Sequence, residues 1–139
     1  MRLGAGGLRC EGFYDRSRSP PAPAVRVRLE NPVTGRSVEE LFYVDTGFDG
    51  TLLLTEEVWG RLELDYTAVD EEVYALHGGF LPVRLSAALA RIYLCGEPLG
   101  LVKVWAHPLL RRLLLGRGVL NRFYAHLDAA GGRVLLETP

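Results

Sequence analysis

Cysteine is scarce in this sequence. It occurs only at positions 10 and 95, and neither thiol has a neighbouring histidine or cysteine that would complete a metal-binding motif. We therefore expect no metal site, and nothing in the sequence calls for a cofactor. Because the thiols of cytosolic proteins are usually kept reduced, reduced Cys10 and Cys95 are the expected state. A disulfide between them stays open as the alternative.

An excess of one charge and long apolar runs are also missing. The 16 basic and 17 acidic residues give a net charge of −1, so no basic excess indicates nucleic-acid binding. No apolar run approaches the ~18 residues of a membrane span, and the first residues lack the apolar segment of a signal peptide. These absences predict a cytoplasmic protein with neither nucleic acid nor a membrane as its partner.

The length of the chain limits its architecture. Its 139 residues correspond to one domain, at ~100–200 residues per domain. The chain is too short for an enzyme built from two lobes with a cleft between them, so a site that needs two lobes requires a second chain. Residues 1–24, which include GAGG and RSRSPPAP, are expected to form an N-terminal arm that is flexible or lies at a dimer interface. Residues 25–139 are expected to form the folded domain.

Short alternating segments dominate the rest of the sequence. VRVRLE, which begins at Val25, alternates apolar and charged residues as a half-buried strand does. NPVTG is a turn signal, and the strand after it ends at Asp45. Thr55, followed by Glu56 and Glu57, predicts the start of a short helix. Many short strands separated by turn signals predict a mainly β barrel or sandwich.

The most informative segment reads FYVDTGFDG and runs from Phe42 to Gly50. Asp45 follows three apolar residues at the end of a strand and begins a loop of small residues. A carboxylate placed partly out of water in this way is suited to proton transfer. The Asp-Thr-Gly tripeptide alone is a weak signal, because Asp and Gly are also common turn residues.

A second apolar run, in residues 113–115, leads into Gly116 and Arg117. An apolar run ending in Asp-Thr-Gly, followed later by one ending in Gly-Arg, resembles the retropepsin-like aspartic proteases, which include the retroviral proteases and their single-domain relatives. The resemblance extends over roughly residues 25–136. It implies a mainly β fold, namely a closed β-barrel of the retropepsin type with one or two short helices.

The resemblance implies roles for the residues that match its motifs. Asp45 would be the catalytic residue, one of two aspartates that share a single proton. Thr46 and Gly47 would support the active-site loop, with the threonine hydroxyls bonding across the dyad axis. Asp49 and Arg117 would support the same loop as an ion pair that ties it to a late helix.

The same resemblance implies a substrate-binding set. Phe48 and Gly50 would lie beside the aspartate pair, where Phe48 would narrow the pocket. A flap hairpin over residues 73–84 would close over an extended peptide and pair with its backbone. The tip of that flap would consist of His77, Gly78, Gly79 and Phe80. Gly118 stands where the family usually has Asp or Asn, so the late helix lacks a side chain that would hydrogen-bond its first turn.

The function implied by the resemblance is that of an aspartic endopeptidase acting as a homodimer on a peptide or protein substrate. Each chain would contribute one Asp45. The alternative is the same fold used as a binding or assembly module with little or no proteolysis. The retained Asp45 favours the enzyme, and the altered Gly118 leaves the alternative open.

Overall fold

The computed structural model describes the backbone of residues 2–3, 7–69, 74–77 and 81–139, and the side chains of residues 7–69 and 84–139. Most of this part of the chain is β-strand, and six of its strands form a closed barrel. The prediction of a mainly β barrel with short helices is therefore confirmed.

The helices are short, and they interrupt a long succession of strands. The helices are α1 (Glu56–Arg61) and α2 (Arg117–Leu120), and a single 3-10 turn spans Leu64–Thr67. The strands in the described residues are β1 (Arg2–Leu3), β2 (Gly7–Asp15), β3 (Ala22–Glu30), β4 (Ser37–Val44), β5 (Leu52–Leu54), β6 (Ala68–Val69), β7 (Tyr74–His77), β8 (Leu81–Arg84), β9 (Ser86–Leu94), β10 (Glu97–Ala106), β11 (Leu114–Leu115), β12 (Tyr124–Asp128) and β13 (Arg133–Glu137).

The barrel is closed by one pairing between distant strands. Strands β3, β4, β11, β5, β10 and β9 are hydrogen-bonded in that order, and β9 pairs with β3 to complete the circle. Strands β2, β13 and β12 extend the sheet outward from β3. Most neighbours are antiparallel, whereas β11 runs parallel to β4 and β10 runs parallel to β5.

The barrel interior is filled by the apolar members of alternating strands. In β3, Val25, Val27 and Leu29 are buried whereas Arg26 is exposed. This is the alternation that the sequence predicted, and burial of each such aliphatic side chain contributes roughly 1.5–3 kcal/mol. The buried set from the other barrel strands includes Phe42, Leu52, Leu54, Ala88, Ala90, Ile92, Leu94, Val104 and Leu115.

Strand β11 is only two residues long, yet it holds the loop that carries Asp45 in place. Leu115 is opposite Val44 at the end of β4 and opposite Leu52 at the start of β5. It is fully buried, which anchors the short strand. Because β11 lies between the strands that precede and follow Asp45, it holds both ends of the loop that carries this carboxylate.

Helix α1 begins where the sequence predicted it. Thr55 is the N-cap, and its hydroxyl accepts a hydrogen bond from the backbone N–H of Val58. Glu56 and Glu57 occupy the first turn, where carboxylates interact favourably with the positive end of the helix dipole. Val58 is buried and directs the helix onto the barrel.

The structure differs from the sequence-based division at residue 24. Strand β2, which falls in the segment assigned to an arm, lies between β3 and β13 in the sheet. Leu8 and Cys10 alternate along it with Arg9 and Glu11, and both are buried. Glycines and a cysteine in this segment made the alternation inconspicuous. Strand β2 is part of the sheet, and the expected place of residues 1–24 at a dimer interface stays a prediction.

The expectation of reduced cysteines is wrong in this structure. Cys10 and Cys95 form a disulfide, with their Cα atoms 5.7 Å apart and 85 residues between them in sequence. Cys10 lies in β2, and Cys95 lies in the turn that joins β9 to β10. Their proximity depends on the pairing of both β2 and β9 with β3, which spacing along the chain does not reveal.

The segment predicted to be a flap contains a hairpin. Strands β7 and β8 pair with each other as a separate two-stranded sheet. The predicted tip residues Gly78, Gly79 and Phe80 lie outside the described residues, and the side chain of His77 lies outside them too. Within the described part of the chain, none of the helices has the length and apolar character needed to cross a membrane.

Candidate active site

Asp45 directly follows strand β4 and begins a tight loop, residues 45–51, which we call the Asp45 loop. The backbone N–H of Asp45 donates to the carbonyl oxygen of Leu115 at 2.9 Å, which continues the pairing between β4 and β11. The Gly47 N–H donates to Oδ1 of Asp45 at 2.9 Å, and the Phe48 N–H donates to the Asp45 carbonyl oxygen at 3.2 Å. The carboxylate is thus half-buried and held by its own loop.

The Asp45 loop is joined to residues 116–118, the Gly116 turn, by three backbone hydrogen bonds. Gly116 N–H donates to the Thr51 carbonyl at 2.8 Å, and Arg117 N–H donates to the Phe48 carbonyl at 2.8 Å. Gly118 N–H donates to the Gly50 carbonyl at 3.0 Å. These N–H groups belong to the first turn of α2, where no partner within the helix exists, so the Asp45 loop satisfies them.

Glycine is required where the two segments meet. A Cβ atom at Gly116 would lie 2.3 Å from the Gly50 carbonyl oxygen and 2.6 Å from Cδ2 of Phe48. A Cβ atom at Gly50 would lie 2.5 Å from Cζ of Phe48. A Cβ atom at Gly118 would be 3.0 Å from the Gly50 carbonyl oxygen, which is tight but less severe. The Phe48 ring therefore packs over Gly50 and Gly116, and Gly118 suits a close backbone contact.

The predicted ion pair between Asp49 and Arg117 is not formed in the single chain. Among the residues that the structure describes, neither side chain has an ion-pair partner, and both are exposed. The two segments are joined instead by the backbone bonds described above. Arg117 takes part through its N–H, and its guanidinium extends into solvent.

Comparison with solved structures decides the fold. The crystal structure of a retropepsin-like aspartic protease from Rickettsia conorii superposes with a TM-score of 0.66 at 17% identity, covering 99% of this chain and 97% of that one. The chain has a retropepsin-like fold. EIAV protease complexed with the inhibitor HBY-793 superposes with a TM-score of 0.55 at 20% identity, covering 72% of this chain and 86% of that one. No protein-family model and no curated protein matches the sequence.

Thr46 of this retropepsin-like chain is exposed beside the carboxylate. Within the described residues, its hydroxyl forms no hydrogen bond. Gly47 is exposed as well, and a Cβ atom there would lie 3.1 Å from Oδ1 of Asp45. The Asp45 loop therefore has one exposed part, at Thr46 and Gly47, and another part that is hydrogen-bonded to the Gly116 turn.

A cavity of about 630 Å³ opens beside Asp45. Residues 16–21 form the loop between β2 and β3, which we call the arginine loop. Most of this loop, together with the first two residues of β3, forms one wall of the cavity. The other walls are formed by Tyr43, Val44, Arg112 and Leu114. Sequence analysis missed this wall because it assigned the arginine loop to an arm outside the domain.

Tyr43 holds the arginine loop in place because its hydroxyl group both donates and accepts a hydrogen bond. The hydroxyl donates to Oδ2 of Asp15 at 2.5 Å and accepts from Nε of Arg18 at 3.1 Å. The Arg18 guanidinium also lies over the Tyr43 ring, 4.8 Å from its centroid. One aromatic residue, located two positions before Asp45, thus places a cation on the cavity wall.

The Asp15 carboxylate is held in its ionised form by this network. The hydrogen bond from Tyr43 is the largest cause of a lowered pKa of Asp15, and hydrogen bonds from the Ser17 hydroxyl and N–H add to it. The bond to Tyr43 also raises the pKa of Arg18. A tyrosine two positions before the Asp-Thr-Gly motif, with arginines in the preceding loop, is the sequence signal that could have indicated the network.

The predicted site residues divide into three groups. Asp45, Gly47, Phe48 and Gly50 come together with the Gly116 turn, whereas Thr46 and the side chains of Asp49 and Arg117 face outward. The predicted flap-tip residues lie outside the described part of the chain. Within that part, no group of three His, Cys, Asp or Glu residues has the arrangement of a metal site. The arrangement presents one carboxylate beside a cavity large enough for several peptide side chains.

Proposed function

We propose that this chain is an aspartic endopeptidase that works as a homodimer. The observation that carries the proposal is the presentation of Asp45. Its carboxylate lies at the wall of the cavity, on a loop held by backbone hydrogen bonds to residues 115–118. Retropepsin-like folds that are described as proteases superpose on the chain, which supports the same assignment.

Two carboxylates are needed for this chemistry, and each chain supplies one Asp45. Two carboxylates held close together share one proton, because two like charges at short distance cannot both ionise. The pair then titrates as a unit. These 139 residues contain one Asp-Thr-Gly segment, at Asp45, and in this proposal a second copy provides the other carboxylate.

The proposed reaction uses the two carboxyl groups in different roles. The ionised carboxylate accepts a proton from a water molecule, whose oxygen forms a bond to the carbonyl carbon of the peptide. The protonated carboxyl donates to the carbonyl oxygen, which takes the electron pair of the C=O π bond. Collapse of the tetrahedral intermediate breaks the C–N bond, and the leaving nitrogen takes up a proton. The exposed Thr46 and Gly47 would support the loop at the contact between the two copies.

Replacing Asp45 with Asn tests the chemistry. We expect Asp45→Asn to lower kcat on a peptide library by about 10³-fold, because the amide can neither accept the water proton nor share one. Asp128→Asn is a matched control at the end of β12, four strands away from β4 in the sheet order. Cleavage that persists unchanged in Asp45→Asn would overturn the proposal.

Subunit mixing tests the requirement for two copies. If each active dimer needs two intact aspartates, an equal mixture of wild type and Asp45→Asn retains about a quarter of the activity of the same total amount of wild type. Sedimentation at the same concentrations measures the dimer. Activity that stays proportional to the wild-type chain alone, or a strict monomer that cleaves peptides, contradicts the homodimer.

The second candidate is a binding or assembly module with the same fold. The observation that favours it is the unformed Asp49–Arg117 ion pair in the described single chain, because the Asp45 loop lacks the expected side-chain support. This candidate predicts that peptides bind without being cut. It also predicts that Asp45→Asn leaves the measured affinity within about twofold.

The cytoplasmic location stays a prediction. Disulfides persist mainly in oxidising compartments, so the bond between Cys10 and Cys95 is the feature that tests it. Alkylation of free thiols in intact cells, followed by mass spectrometry, measures the oxidised fraction. Two alkylated cysteines support the cytoplasm, and a protected pair indicates an oxidising compartment.

A further inference from the structure

The cavity beside Asp45 is lined by cations and by few anions. Arg18 and Arg112 both contribute to its walls, whereas Asp45 is the one carboxylate among the lining residues that the structure describes. Asp15 does not line the cavity, but its carboxylate is joined to Arg18 through the Tyr43 hydroxyl and balances part of the Arg18 charge.

Arg18 is pre-positioned rather than free to move. Its Nε donates to the Tyr43 hydroxyl, and its guanidinium rests on the Tyr43 ring. Within the described residues, its terminal nitrogens form no hydrogen bond. A guanidinium held through Nε presents its terminal nitrogens to a ligand, and this geometry suits a carboxylate. Because Tyr43 already restricts the side chain, binding would cost less conformational entropy.

Arg112 approaches the cavity from a different part of the chain. It precedes β11, in the segment that follows β10. Among the residues that the structure describes, Arg112 has neither a hydrogen bond nor an ion pair. Two guanidinium groups from separate segments therefore border one cavity without a protein carboxylate that neutralises both.

We infer that this site prefers peptides with an Asp or Glu side chain within three residues of the bond that is cut, and that Arg18 and Arg112 bind that carboxylate. The inference rests on the proposed function and names its substrate class. An extended peptide places alternate side chains on the same side, so one acidic residue can reach the arginines while the scissile bond stays at Asp45.

Matched peptides test this preference. Each pair differs only by Glu or Gln, or by Asp or Asn, at one position from three residues before the cut to three after it. At pH 6, where these acidic side chains are ionised, we expect at least one position with kcat/KM about five- to tenfold higher for the acidic member. The advantage should shrink below pH 4 and at high salt, because protonation and screening remove the charge interaction.

Variants of Arg18 and Arg112 test whether these two residues cause the preference for acidic peptides. Arg18→Gln and Arg112→Gln should each lower the ratio of kcat/KM between acidic and neutral peptides, and the double variant should bring it close to one. Arg112→Lys should retain part of the ratio. Arg16→Gln and Arg111→Gln are matched controls, because these exposed arginines neighbour the two in sequence but do not line the cavity. Controls that lower the ratio as much as the test variants overturn the assignment.

Binding to the Asp45→Asn protein separates this inference from the proposed function. Fluorescence anisotropy with the same labelled peptides measures the preference for acidic residues without cleavage. A five- to tenfold preference in binding with no activity in wild type supports the arginine site while the protease proposal fails. Asp45-dependent cleavage with equal rates for acidic and neutral peptides leaves the protease and overturns the arginine site.

Discussion

The two segments that flank Asp45 are held in place by different means. On one side, the Asp45 loop and the Gly116 turn are joined by backbone hydrogen bonds, at distances that leave no room for a Cβ atom at Gly116. On the other side, the arginine loop is held by the side chains of Asp15, Tyr43 and Arg18 at the surface. The first segment depends on close backbone packing, and the second depends on hydrogen bonds of charged side chains. The Asp45 loop is thus joined to the Gly116 turn by backbone contacts that carry no titratable group, while the arginine loop depends on charged groups that respond to pH and salt.

The largest expected effect on stability comes from adding one methyl group at Gly116, where the backbones of the two segments meet. Gly116→Ala should lower the free energy of unfolding by about 3 kcal/mol, because the new Cβ would overlap the Gly50 carbonyl oxygen and the Phe48 ring. Gly118→Ala should cost less, since its Cβ contacts begin at 3.0 Å. Urea denaturation measures both values.

Gly60→Ala is the control for that series. Gly60 lies inside α1 with nothing within 4 Å of an added Cβ atom, so alanine should be neutral or stabilising by up to about 1 kcal/mol. If Gly116→Ala and Gly60→Ala have equal effects, the close contact at Gly116 does not constrain the fold.

A smaller effect is expected from removing the Tyr43 hydroxyl, which holds the arginine loop. Tyr43→Phe removes the largest cause of the lowered pKa of Asp15, so that pKa should rise toward its ordinary value. A carboxyl whose pKa is lowered in the folded state adds stability above its unfolded pKa, and this is lost as pH falls through the folded pKa. Wild type should therefore lose more stability than Tyr43→Phe when the pH is lowered from about 5 to about 2.

NMR titration of the Asp15 carboxyl carbon, together with urea denaturation at each pH, measures this difference. Tyr124→Phe is the matched control, because Tyr124 is exposed on β12 and far from Asp15. An unchanged Asp15 pKa in Tyr43→Phe would mean that the hydroxyl does not hold the carboxylate.

The smallest effect is expected at the predicted ion pair. A double-mutant cycle with Asp49→Asn and Arg117→Gln should give a coupling free energy below about 0.5 kcal/mol in dilute, monomeric protein, since both side chains are exposed and unpaired there. Denaturation over a range of protein concentrations provides the measurement. Coupling above 1 kcal/mol in the monomer would contradict the structure, and coupling that appears only in the dimer would place the pair at the contact between copies.

The sequence predicted features that depend on neighbouring residues. Alternation in VRVRLE predicted strand β3, and Thr55 predicted the start of α1, because each signal acts over a few positions. The position of Asp45 after a strand was also correct. These signals required no knowledge of how distant segments pair.

Features that depend on distant pairing were missed or misjudged. The arginine loop reaches Asp45 only because β2 and β3 pair beside β4, and Cys10 meets Cys95 only through β3. The Asp49–Arg117 pair was inferred from a resemblance, whereas in the single chain the two segments are joined by the backbone contacts of Gly116 and Gly118 with the Asp45 loop. No local pattern in the sequence distinguishes these outcomes.

The Cys10–Cys95 disulfide has a consequence for the integrity of the chain. The Asp45 loop and the β7–β8 hairpin both lie between its two cysteines in sequence. A single cut anywhere between residues 10 and 95 therefore leaves the two fragments covalently joined through sulfur. If the protein cleaves itself in this region, the fragments keep the mass of the intact chain plus one water molecule and separate only when the disulfide is reduced.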